Sequence, residues 1–146
     1  MAVELSLELS DPSASERGVQ RSLGMWAQTA AFAAEPCVVI DGDGVVVAAS
    51  PGCAAVFEMD TEDAAGRALA GEVLDLRDFS ALQRPLPDWE IKKTPPLLAI
   101  SSAGLARGLL RVWIGSATKT VDSISVPLVD DGVIVGSLTF FVPVDQ

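Results

Sequence analysis

The stretch CVVIDGDGVVVAASPGCAAVFEMD, residues 37–60, sets two β-branched runs on either side of Asp41-Gly42-Asp43-Gly44. Asp and Gly tolerate the positive φ angles of tight turns, so the stretch reads as strand, turn, strand. A calcium loop needs acidic ligands at its ninth and twelfth positions, and no acid stands between Asp43 and Glu58. A phosphate cradle needs G-x-G-x-x-G and a basic residue beyond it, and neither is present. The four residues are a hairpin turn.

Downstream, Ser50-Pro51 starts a short helix reaching about Glu58, and Asp60 or Thr61 starts another that Gly66-Arg67 closes. LAGEVLDLRDFSAL, residues 69–82, reads as helical in part. Residues 83–98 hold four prolines and read as an irregular loop around Trp89. A helix over 96–106 follows, ended by Arg107-Gly108. Three strands close the chain, at 109–115, 118–129 and 133–144, the last two joined by Asp130-Asp131-Gly132. Ile124, Val126 and Leu128 share one face with Ile134, Leu138, Phe140 and Val142, whereas Val133, Val135 and Phe141 take the other. The sheet is therefore expected to be covered on both sides.

Upstream, VELSLELS alternates Val3, Leu5, Leu7 and Leu9 with Glu4, Ser6, Glu8 and Ser10, the period of a half-buried strand. A helix over 15–34 then aligns Val19, Leu23, Trp26, Ala30 and Ala33 on one stripe and stops at Pro36. Residues 1–33 are read as a strand and helix set apart from residues 34–146, which form one domain.

Composition narrows the chemistry. Twenty acidic residues against ten basic ones, a net charge of −10, repel phosphate backbones and anionic headgroups, which argues against nucleic acid and membrane surfaces as partners. No apolar stretch is long enough to cross a bilayer and no signal-peptide pattern opens the chain, so a soluble cytoplasmic protein is expected. The absence of histidine removes Ser-His-Asp and Cys-His catalysis and zinc or haem held through imidazole. Cys37 and Cys53 have no metal-ligand spacing and read as buried structural thiols.

The order hairpin, short helices, longer helix, three-stranded meander resembles a PAS domain, the five-stranded antiparallel sensor module of bacterial signalling proteins. VVIDGDGVVVAASPGCAAVFEMDTEDAAGRAL is similar to the family's opening, with its D-x-x-G turn and closing Gly-Arg, and ISVPLVDDGVIVGSLTFFVPVD is similar to its end. Ser50 stands where the family usually has asparagine, and Cys53 lies in P-G-C-A-A-V rather than the N-C-R-F-L-Q run of flavin-binding members. The chain also lacks the histidine and tyrosine of the haem and photoactive subgroups. The resemblance implies an α+β fold with short helices on one sheet face, and no haem, covalent flavin or metal.

It further implies a non-enzymatic sensory module acting as a homodimer through the strand and helix of residues 1–33, with Val19, Leu23, Trp26 and Ala30 at the dimer interface, a small apolar ligand held between sheet and helices and a downstream signalling protein as recipient. Strand and helix phase nominate Phe57, Leu98, Leu105, Leu110, Val112, Ile124 and Phe140 as pocket residues. The alternatives are a ligand-free dimerisation and protein-interaction domain, and an enzyme using Asp75, Asp78 or Asp122, whose sign would be a raised carboxyl pKa in a pocket.

Overall fold

The computed structural model describes residues 14–144, with side chains from residue 22 onward. The alternating segment at residues 3–9 lies outside them. The hairpin forms as read: β1 (Cys37–Asp41) and β2 (Val46–Ala49) are antiparallel. Asp41 Oδ1 accepts the amides of Asp43 at 2.9 Å and Val45 at 3.1 Å, and Gly44 takes φ 82°, so the Asp-Gly chemistry is spent inside the turn. After α2 (Pro51–Phe57) and α3 (Thr61–Ala64), the Asp60 side chain caps the latter by accepting the amides of Glu62 and Asp63.

Four further strands complete one antiparallel sheet: β3 (Asp75–Arg77), β4 (Ala106–Ile114), β5 (Ala117–Asp130) and β6 (Val133–Pro143), in the order β2-β1-β6-β5-β4-β3. These are the five expected strands with a three-residue sixth at one edge. β3 arises where the sequence suggested helix. Its Leu74-Asp75-Leu76-Arg77 alternation buries both leucines and leaves the charged pair half-buried, a period of 2 within a segment too short to stand out.

Other differences are local. α4 (Asp88–Ile91) supplies one helical turn inside the expected loop. α5 (Pro95–Ser102) stops short of Ala106 because Ala103 adopts φ 55° ahead of Gly104, which frees Leu105 and lets Ala106 begin β4. β5 and β6 slip by one residue between Leu128 and Val129, a bulge that turns Val135 to the same side as Leu138 instead of the opposite one.

Both faces are covered. On the inner face Val38, Ile40, Leu110, Val112, Val121 and Phe141 pack with Cys53 and Phe57 of α2, the Phe57 and Phe141 rings meeting edge-on at 4.9 Å. On the outer face α1 (Ala14–Ala31) covers Cys37, Val39, Leu128, Val135 and Leu138 with Leu23 and Ala30, assisted by Ala33 beyond its end. Under α5 the inner face turns polar: Ser123, Ser125, Ser137 and Thr139 are all fully buried. Their hydroxyls are satisfied, Ser123 donating to Gly108 O at 2.9 Å, Ser137 to Pro96 O at 2.8 Å, and Ser125 sharing a 2.6 Å bond with Thr139.

The β1–β6 seam admits no side chain at Gly136, which pairs with Asp41 and whose Cβ would meet the Ile40 carbonyl oxygen and the Asp41 backbone. Replacing Gly136 by alanine is expected to lower stability by about 3 kcal/mol or more through overpacking against rigid backbone, read from the midpoint of urea unfolding.

Candidate ligand groove

The nominated pocket residues divide between three places. Phe57, Leu110 and Val112 meet in the inner core, where side chains fill the space between sheet and helices. Ile124 and Phe140 are paired across β5 and β6, with Phe140 39% exposed on the outer face. Leu105 lies in the α5–β4 turn, 69% exposed. Leu98 lines an open space, reached also by one side of Leu110, and it is not the one expected. The nominated dimer residues divide too: Leu23 and Ala30 face the sheet, Trp26 is exposed, and the Val19 side chain is outside the description. The outward-facing apolar residues of this region are Met25, Trp26 and Phe32, the last 89% exposed.

The open space is a groove of about 300 Å³ beyond the edge of β4. Its floor is Gly108 and Leu110, one wall is α4, α5 and the turn between them through Trp89, Lys93, Pro95 and Leu98, and the other is Phe79 with Arg77 and Arg111. It exists because β3 ends at Arg77, opposite Arg111, so residues 106–110 of β4 lack a strand partner on that side. Gly108 brings α5 close, since a Cβ there would lie 3.4 Å from Pro95 Cγ.

Its walls are cationic as well as apolar, and four of the chain's ten basic residues line it. Arg77 is held by Asp75 at 2.8 Å and lies 5.2 Å over the Trp113 ring. Arg107 bonds Asp122 at 2.6 Å. Arg111 has no such carboxylate: one guanidinium nitrogen donates to Ser80 O at 3.3 Å, the group stacks 5.6 Å from the Phe79 ring, and its Nε is buried without a hydrogen-bond partner. Lys93 lies 5.2 Å over Trp89. The signals in the sequence were the Arg107-x-Leu109-x-Arg111 alternation and the aromatic among prolines, readable one by one but not as one site.

The enzymatic alternative gains nothing here. The bonds donated by Arg107 hold the Asp122 carboxyl below the usual range, and that of Ser80 does the same for Asp78. Both shifts run opposite to a raised general acid. Among the described residues no group of His, Cys, Asp and Glu side chains is arranged to hold a metal, and no helix is long and apolar enough to cross a membrane.

Ser50, which stands at the N-cap of α2, makes no side-chain cap bond. Its hydroxyl accepts the Cys37 amide at 2.8 Å and donates to Glu35 O at 2.7 Å, tying the entry of β1 to the start of α2. Beside it the Cys53 thiol reaches Cys37 O at 3.2 Å, and burial pushes its pKa up to about 11.

No family model matches the chain, and no curated protein matches it in sequence. Among solved structures it is similar to the PAS domain of a protein from Colwellia psychrerythraea, with 18% identity and a TM-score of 0.59 over 84% of this chain and 96% of that one. It is similar to the PAS domain of BvgS from Bordetella pertussis, with 11% identity and a TM-score of 0.57 over 85% and 86%. A third similar structure is VqmA of Vibrio cholerae bound to DPO, with 15% identity and a TM-score of 0.57 over 87% and 58%. What is shared at these identities is the fold: the chain has the PAS fold.

The thiols give a pH dependence. Because folding raises the Cys53 pKa from 9.0 to about 11, and raises that of Cys37 as well, their stabilising contribution is complete below pH 9. It falls as pH rises through the window from 9 to about 11, by up to about 3 kcal/mol for Cys53. Thermal melts of the wild type and Cys53→Ala across that window are expected to converge as pH rises.

Proposed function

We propose that this PAS-fold chain is a non-enzymatic sensory and regulatory module of bacterial signal transduction, cytoplasmic, which binds a small and largely apolar ligand and works as a homodimer. The groove beyond β4 carries this reading. Its size is at the lower end of small-molecule sites, and it joins exposed apolar walls to a few convergent polar groups. Arg111 and Lys93, the cations there without a carboxylate partner at hydrogen-bond distance, favour a ligand with an anionic or carbonyl end and an apolar body. VqmA, which shares the fold, is described bound to DPO.

Occupation would link Trp89 and Pro95 of α4 and α5 to β4, so a ligand preferring one spacing of these elements shifts the sheet's outer face. That face presents Leu109, Trp113, Phe140 and Val142, and beside it α1 and its end present Met25, Trp26 and Phe32. Such clustered apolar exposure is what a second copy or a downstream signalling protein would cover. The net charge of −10 disfavours nucleic acid as that partner.

Decanoate, an apolar chain with a carboxylate, is the probe of choice. Titration followed by Trp89 fluorescence is expected to saturate, and Arg111→Ala to weaken binding roughly tenfold by removing a charge-assisted contact. An unchanged affinity in that variant removes the groove as the site. Native mass spectrometry is expected to give a dimer that Phe32→Glu converts to monomer.

A further inference from the structure

The groove is bounded on one side by main chain. Over residues 106–110 the side of β4 that faces β3 carries no strand, and among the described residues no turn or loop backbone bond reaches it. In an antiparallel ladder every second residue of such a stretch points its N–H and C=O outward, so the edge is a template for one more strand.

We propose that this edge receives an extended segment of a partner protein, added to β4 in line with β3 and carrying a carboxylate between two apolar side chains. The proposal goes beyond the small-molecule reading and uses only the open groove. Extended backbone is selected by the edge itself, since an added strand satisfies main-chain groups that a compact solute leaves unpaired.

Charge selects the acid. Arg77 and Arg111 stand directly opposite each other on β3 and β4, a like-charged cross-strand pair that costs stability. Asp75 meets Arg77 at 2.8 Å, whereas Arg111 has only the Ser80 carbonyl and the Phe79 ring. On its other side β4 shows how such a cation is met: Asp122 of β5 stands directly opposite Leu109 and reaches diagonally to Arg107 at 2.6 Å. An acid opposite Leu109 on the free side lies on the same face and diagonal to Arg111. It repeats the Asp122 geometry and leaves the position opposite Arg111 to Arg77. The surroundings favour the same charge, because four basic residues line the groove against one carboxylate, Glu90, in a protein of net charge −10.

Sheet phase selects the flanking residues. Positions opposite Gly108 and Leu110 turn toward the inner face, where Pro95, Leu98 and Leu110 line the groove, so apolar side chains extend that lining. Phe79 and Trp89, 56% and 61% exposed, are the rings that the added strand covers.

The probe is the blocked pentapeptide Thr-Val-Glu-Val-Thr, with Thr-Val-Lys-Val-Thr as control, each titrated into the full chain up to about 1 mM by calorimetry. The glutamate peptide is expected to saturate and to bind about tenfold tighter than the lysine peptide. At saturation it is expected to slow amide hydrogen exchange within residues 106–110 roughly tenfold or more. In Arg111→Ala the preference for the glutamate peptide is expected to shrink about threefold or more. That comparison sets two peptides against one variant, and the wild-type arm decides by itself where the variant does not fold. No saturation by about 1 mM, equal affinity for the two peptides, unchanged exchange at 106–110, or an unaltered preference in folded Arg111→Ala overturns the proposal. Decanoate separates the two readings of the groove. Decanoate bound and peptide refused keeps the ligand site and defeats the strand, whereas peptide bound and decanoate refused keeps the strand and defeats the ligand site.

Discussion

Everything in this fold is arranged around β1, a five-residue strand that serves two cores. Val38 and Ile40 face the helices α2 and α3 while Cys37 and Val39 face α1, so the strand has no solvent side. Burial on both faces demands a run of β-branched residues rather than an alternation, which is why CVVI precedes the turn. It also demands that both backbone edges be paired, by β2 on one side and β6 on the other, and Gly136 is the concession that lets β6 approach. Ser50 completes the arrangement by holding the entry to β1 through two hydrogen bonds, the one from the Cys37 amide fully buried.

The opposite end of the sheet follows a different logic. β4 is long, its outer neighbour β3 covers only residues 111–113, and the space left over is lined by aromatic rings and guanidinium groups. Two of the arginines are neutralised by Asp75 and Asp122, which keeps their forks oriented, and Arg111 instead meets the Ser80 carbonyl and the Phe79 ring. The open groove of this protein therefore sits at an edge of the sheet rather than beneath its centre, where Phe57 and Phe141 fill the interior.

How much of this could be read from the sequence depended on range. The hairpin at Asp41 to Gly44, the turn at Asp131-Gly132 and the placing of the last three strands follow from residues adjacent in the chain, whose φ preferences decide the outcome. β3 escaped because three residues carry too little period, and the end of α5 escaped because an alanine, with no preference for φ 55°, takes the left-handed position. Two of the pocket nominations, Ile124 and Phe140, went astray for another reason. Strand phase gives the face of each residue only until a bulge or a mistaken face assignment intervenes, and it placed Ile124 and Phe140 in an interior they do not enter. The groove was hidden because its walls come from β3, α4, α5 and β4, whose juxtaposition exists only in three dimensions.

The hydroxyl-bearing patch beneath α5 has a thermal consequence. Heat capacity rises when hydrocarbon is exposed to water and falls when polar groups are, so the two ends of the inner core differ in kind. Opening the Phe57 side uncovers rings and aliphatic chains, whereas lifting α5 uncovers Ser123, Ser125, Ser137 and Thr139 together with its own Leu97, Ala99 and Ile100. The free energy of freeing α5 is thus the less curved function of temperature, since part of what it uncovers is polar and one of its ties is the directional Ser137–Pro96 bond. On cooling, when apolar cohesion weakens, it is the aromatic end of this domain that loosens relative to the other.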